Sequence, residues 1–172
     1  VVCSSGAQLA SSGRMKADDM RMTEEDVVCC ALPMFHTFCI NCNLLASAAS
    51  GACLILPPDR HSETTLTYIE RYRCTMLTAV PSVYLTLIAR PDLRPERVAS
   101  LRCGIVGGAY CSPEQFRAIE GKLGMTLLPG LGQSEVIAGV TIASPEESLE
   151  VRSTTLGHFV DRLEGRIVGH EV

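Results

Sequence analysis

Short apolar runs, each cut off at a Pro or a Gly, recur along the chain with stretches of helical periodicity between them. Val27–Leu32 stops at Pro33, Ala52–Leu56 at Pro57-Pro58, Thr75–Val80 at Pro81, Cys103–Val106 at Gly107-Gly108 and Thr126–Leu128 at Pro129-Gly130, and Ala138–Ile142 is a candidate sixth run. A strand covered on one face alternates apolar and polar residues. These runs are continuous, which is the pattern of strands buried on both faces. Between them, Leu66, Ile69 and Arg73 share a face of a helix expected over Ser62–Arg73, with Tyr68 and Tyr72 beside it, and Val83, Tyr84, Leu87 and Ile88 stripe a helix beginning near Pro81. Phe116, Ile119 and Leu123 stripe another, and its start, Ser112-Pro113-Glu114-Gln115, combines an N-cap Ser, a first-turn Pro and a Gln three residues after the cap. Val98–Arg102 reads as a linker. Strand and helix in alternation, joined by right-handed crossovers, predict an α/β fold with a mostly parallel sheet flanked by helices on both faces.

Composition removes several function classes. With 15 Lys plus Arg against 19 Asp plus Glu, and no cationic run, the chain lacks the clustered charge that counterion release from nucleic acid requires. Ala31–Pro58 holds no Asp, Glu, Lys or Arg, which is long enough for a bilayer span. Pro33, Asn41, Asn43, Gly51 and Pro57 interrupt it, so it reads as strand, helix, strand and no transmembrane segment is expected. Nine cysteines, several inside apolar runs, point to a reducing, cytoplasmic setting. The first and last residues, Val1 and Val172, read as cuts within a longer protein.

Ligands of parallel sheets sit beyond the carboxyl ends of the strands. Those ends here carry His36, Pro57, Pro81, Gly107-Gly108 and the stretch Gly130-Leu131-Gly132-Gln133-Ser134-Glu135. Glycines free backbone N–H groups that, with the Ser134 hydroxyl, could donate to a phosphate. Glu135, acceptor-only when ionised, could hold magnesium beside it. The plainer alternative is a turn capping the next helix, and the absence of a third Gly removes the dinucleotide fingerprint. His36, Cys39 and Cys42 follow at i, i+3 and i+6, but no second ligand pair follows them, so a metal centre there is not expected. His61, His158 and His170 read as surface residues.

Four motifs taken in order, Ala31-Leu32-Pro33-Met34-Phe35-His36, Thr78-Ala79-Val80-Pro81-Ser82, Leu101-Arg102 to Gly107-Gly108-Ala109, and Gly130 to Glu135, resemble the adenylate-forming superfamily of AMP-binding acyl-CoA synthetases, adenylation domains and luciferases. The resemblance covers nearly the whole chain. It implies a flavodoxin/Rossmann-like subdomain over 1–143, with 144–172 opening a smaller β-containing subdomain, and a short additional β segment at the C-terminal end. It also implies the activity: a carboxylic acid and ATP give acyl-AMP and pyrophosphate, and the acyl group passes to coenzyme A, a fatty acid being one substrate class. On the matching positions, Glu135 resembles the magnesium carboxylate, Ser134 the hydroxyl on the α-phosphate, and His36 the cleft residue near the carboxylate. Gly108, Ala109 and Tyr110 resemble the segment along the adenine and the acyl tunnel, with Gly130, Leu131, Gly132 and Gln133 completing the nucleotide loop. Leu131 stands where the family has an aromatic ring. Leu156-Gly157-His158-Phe159 through Arg166-Ile167-Val168 resembles a later family segment, with Phe159 where Pro is usual. The family's phosphate loop and its C-terminal lid are expected outside these residues, so the fragment by itself is expected to be inactive and to self-associate. A non-catalytic nucleotide-binding or protein-interaction domain is the alternative.

Overall fold

The computed structural model describes residues 3–137, 139–161 and 163–166. Ala138 of the sixth apolar run, His170 and the Ile167-Val168 pair lie outside the described residues. Five parallel strands form the body of one seven-stranded sheet: β1 (Val27–Cys30), β2 (Cys53–Ile55), β3 (Met76–Thr78), β4 (Cys103–Gly107) and β5 (Thr126–Leu131). β6 (Thr141–Ile142) and β7 (His158–Phe159) complete it, antiparallel, in the order β2-β1-β3-β4-β5-β6-β7. The parallel part has the 2-1-3-4-5 order of flavodoxin-like sheets, so the expected fold class is the one observed. The sixth run contributes two residues rather than five, and it returns antiparallel because only a short loop, without a crossover helix, separates it from β5. β7 falls in the 144–172 segment and is hydrogen-bonded to β6 as part of the same sheet.

Adjacent residues on each inner strand face opposite layers, which is why the apolar runs are continuous. Cys29, Leu77, Val106 and Leu127 enter one core cluster with Leu66, Tyr84 and Phe116; Val28, Met76, Ile105 and Leu128 enter the other with Ala17, Cys42 and Ala46. The layer carrying the second cluster is made by α1 (Gly6–Asp19) and by a helix that starts as α2 (Thr37–Cys39), widens into a π-helical turn (Ile40–Leu45) and continues as α3 (Ala46–Ser50). α1 was not foreseen, because its Ala, Ser and Gly face lacks a bulky apolar stripe. Its start is a capping box between Ser5 and Gln8, and a Cβ on Gly13 would lie 2.6 Å from Leu45 Cβ, so small size there sets how closely α1 approaches the neighbouring helix.

The first cluster is covered by α4 (Ser62–Tyr72), α5 (Pro81–Ile88), the short α6 (Pro95–Val98) within the stretch before β4, and α7 (Pro113–Leu123). α4 ends one residue earlier than expected, since Arg73 is its left-handed cap at φ 49°. α7 begins as its sequence predicts: Gln115 N donates to Ser112 Oγ (3.2 Å) and Ser112 N to Gln115 Oε1 (3.0 Å). α8 (Leu149–Thr154), also unforeseen, is docked by the buried Arg152, which donates to Leu127 O (2.7 Å) and to the Glu120 carboxylate of α7. Among the described residues no helix is long and apolar enough to cross a membrane.

Candidate active site

The loops that follow β1, β4 and β5 meet over the carboxyl edge of the sheet around a cleft of about 210 Å³. Its exposed rim is Leu131 to Ser134, its opposite wall is His36, Thr37 and Phe38, and its buried end is Ile105, Cys42, Lys16 and Gly139. His36 caps α2: its Nδ1 accepts from Phe38 N (3.1 Å), which leaves Nε2 as the imidazole nitrogen free for the cleft. Thr37 Oγ1 donates to Ser134 Oγ at 3.2 Å and ties the first wall to the rim across 97 residues of sequence.

The π-helical turn has a local consequence. It presents Asn41, which donates through Nδ2 to Thr37 O (3.2 Å) and to Ile137 O, linking the turn to the loop after β5. Ile137 has φ 68°, a conformation a β-branched residue avoids unless its surroundings impose it. The loop carrying Ser134 and Glu135 is therefore held from both sides. Gly108, at φ 79°, turns the chain away at the end of β4; any other residue would be strained there, and its Cβ would lie 3.3 Å from Val80 Cγ1.

Of the residues singled out by sequence, the structure brings His36, Gly108, Gly130, Leu131, Gly132, Gln133 and Ser134 to this one cleft. Ala109 and Tyr110 line a second hollow of about 320 Å³ on the other side of Gly107 and Gly130, between the tips of β4 and β5 and the α8 segment, where Tyr110 is 83% exposed. Glu135 follows Ser134 in a single 3-10 turn (Ser134–Val136), exposed, outside the cleft lining, and its carboxylate makes no hydrogen bond or ion pair among the described residues. A magnesium ion takes few protein ligands beside substrate phosphates and water. One free carboxylate next to a hydroxyl-bearing glycine loop fits such an ion; no cluster of three or more His, Cys, Asp or Glu is found among the described residues.

Sequence reading missed Lys16, Thr37, Phe38, Gly139 and Thr141, which also line the cleft, and weighed Cys42, another lining residue, only as a metal ligand. Lys16 could not have been found without α1, and the other missed residues carry no motif. Burial pushes the Cys42 thiol up to about 12, so it lines the cleft as a neutral group. Behind the wall, Cys30 and Cys39 face each other with sulfurs 3.1 Å apart, and the hydrogen bond they share lowers the Cys30 thiol while raising that of Cys39.

A family model described as AMP-binding enzyme matches residues 1–171. The acyl-CoA ligase SID4 of Ajellomyces capsulatus is 30% identical over 95% of this chain and 28% of its own length. The 3-methylmercaptopropionyl-CoA ligase of Ruegeria pomeroyi is 33% identical over 74% of this chain and 24% of its own. The chain thus spans roughly a quarter of the length of these relatives. Bacillus subtilis O-succinylbenzoate coenzyme A synthetase, solved with ATP and magnesium, shares the fold with a TM-score of 0.80 at 23% identity, over 99% of this chain and 36% of that one. By the match over residues 1–171, the chain belongs to the AMP-binding enzyme family.

Proposed function

We propose that this chain is the central part of the AMP-binding domain of an ATP-dependent acid–thiol ligase. The observation that carries the reading is the convergence of His36, Gly108 and Gly130 to Ser134 on one cleft at the carboxyl edge of a parallel sheet. In the proposed reaction a carboxylate oxygen attacks the α-phosphorus of ATP, the bond to the bridging oxygen of pyrophosphate breaks, and acyl-AMP remains. A thiol, that of coenzyme A, then attacks the acyl carbon and expels AMP. Two anions must be held in line for the first step, so fixed donors matter more than covalent chemistry.

In this chain the donors are the Ser134 hydroxyl and the freed N–H groups of the glycine loop, with Thr37 orienting Ser134. Its Oγ–H bond to Ser134 Oγ leaves the Ser134 hydrogen free for a phosphate oxygen. His36 Nε2 reaches the cleft from the wall where the carboxylate would lie. Magnesium bound at Glu135 would supply the positive charge that offsets the charge developing on the phosphates. Phe38 and Ile105 are apolar walls for the acyl group, and Tyr110 borders the adjoining hollow. We place the ligase in the cytoplasm, supported by nine cysteines that are all free thiols. The 172-residue piece is proposed to be inactive alone and to self-associate through side chains such as Phe35, 86% exposed.

The test is ATP–pyrophosphate exchange by the full-length protein containing this chain, with a panel of carboxylic acids, beside Glu135→Gln. Acid-dependent exchange that falls by about 10²-fold or more in the variant is expected. Exchange untouched by the variant would remove Glu135 from the reaction. A second reading, nucleotide binding without catalysis, is favoured by one feature: Leu131, an aliphatic side chain 41% exposed on the rim where the resemblance has an aromatic ring. ATP binding with no exchange for any acid is its expected outcome.

A further inference from the structure

The buried end of the cleft is not apolar. Lys16, on α1, is 3% exposed, and its side chain reaches the cleft between Cys42 and Gly139. Gly139 makes room for it: a Cβ there would stand 2.7 Å from Lys16 Cε and 2.8 Å from Nζ. The ammonium has three donors and, among the described residues, one acceptor, Asp19 Oδ2 at 2.6 Å, one turn along the same helix. Among the described residues no carboxylate lines the cleft, and the neighbouring Cys42 thiol is neutral, so beyond Asp19 the Lys16 ammonium has no hydrogen-bond partner among the described residues. Thr141 lines the same cleft with a buried Oγ1 that has no hydrogen-bond partner among the described residues. Buried polar groups are normally satisfied, and a buried ammonium that is only partly satisfied is costly. Two such groups lining one cleft mark the place of a missing acceptor.

Resting on the reading of the cleft as an acyl site, we infer that Lys16 is a specificity-determining residue and that the substrate is a carboxylic acid carrying a second hydrogen-bond acceptor at its far end, a second carboxylate being the strongest match. An unsubstituted fatty acid would bring a methyl group to the ammonium, desolvating the charge without replacing its lost water. A distal carboxylate would take the free Lys16 donors and the Thr141 hydroxyl together. Asp19, 25% exposed, lies outside the cleft lining, so it neutralises part of the charge without filling the acceptor position.

The experiment compares matched acids of equal length ending in carboxylate, hydroxyl or methyl, using ATP–pyrophosphate exchange by the full-length protein as wild type, Lys16→Met and Lys16→Arg. Wild type is expected to prefer the carboxylate-ended acid over the methyl-ended one by about tenfold or more in kcat/KM, since a site built for a polar group rejects an analogue lacking it. Lys16→Met is expected to raise KM for the carboxylate-ended acid with little change in kcat, and to shift the preference toward methyl. Lys16→Arg is expected to restore the wild-type order. Equal or better use of methyl-ended acids by wild type, with the preference unchanged in Lys16→Met, overturns the inference while leaving adenylation standing. Absence of exchange with every acid would instead count against the adenylation reading. The inference is then read from thermal shifts of the same proteins with the acids alone, where equal shifts for all three end groups would overturn it. Melting without ligand shows whether Lys16→Met is folded.

Discussion

Asp26 shows how one side chain joins distant segments. It accepts from Arg102 Nε (2.8 Å) and Nη2 (2.5 Å), from Thr75 Oγ1 (2.6 Å) and from Thr23 N (2.9 Å), at the start of β1. Burial pushes its carboxyl up, but the bonds from Arg102, Thr75 and Thr23 outweigh that and hold it below the ordinary carboxylate range. A carboxyl depressed in the folded state contributes stability that is fully present above its unfolded value of about 4 and is lost as pH falls from there through the lower folded value. Asp26→Asn is expected to cost about 2 kcal/mol at pH 7, less than a fully buried pair because Arg102 is 40% exposed. Urea unfolding at neutral pH and near pH 3 checks this, with the gap between variant and wild type closing at the lower pH. The sequence offered Asp26 and Arg102 as unconnected charges 76 positions apart, whereas His36 and Ser134 stood out as candidates because each lies in the segment that follows the end of an apolar run.

Among elements, α7 was readable because its cap, first-turn Pro and apolar stripe agree, and propensity, capping and burial all favour the same helix. α1 and α8 escaped notice for opposite reasons. α1 buries small residues, so its periodicity is weak, and α8 is six residues whose docking depends on a polar contact rather than an apolar face. Arg152 is 6% exposed and pairs with Glu120, which itself accepts from Leu127 N (2.8 Å). Arg152→Ala is expected to destabilise the chain by about 3 kcal/mol, because it leaves the Glu120 carboxylate partly buried without its cation. It should also raise hydrogen exchange over Leu149–Thr154 ahead of the rest. The double variant Glu120→Gln with Arg152→Met is expected to recover most of the loss, as removing both charges avoids the unpaired one. Protection unchanged in the single variant would show that α8 is held by other contacts.

For the molecule as a whole, the exposed apolar groups Phe35 at 86%, Tyr110 at 83% and Leu56 at 54% all follow the carboxyl ends of strands, on the edge of the sheet that carries the cleft. Self-association of the 172-residue chain through that edge is expected to appear as a mass above 18.5 kDa in light scattering, falling toward the monomer in Phe35→Ser. A monomer at high concentration would count against it. Local patterning was enough to specify a parallel α/β sheet and to locate its strand-end loops, since whether a segment repeats every two or every 3.6 residues, and whether it is covered on both faces, is written in its own side chains. The cleft's contents were not local. Thr37 meets Ser134 and Lys16 meets Gly139 only because α1, the π-helical turn and the loop after β5 converge on one edge of the assembled sheet. Such pairings follow from the packing of whole layers, whose close approaches at Gly13 and Gly139 no single segment records.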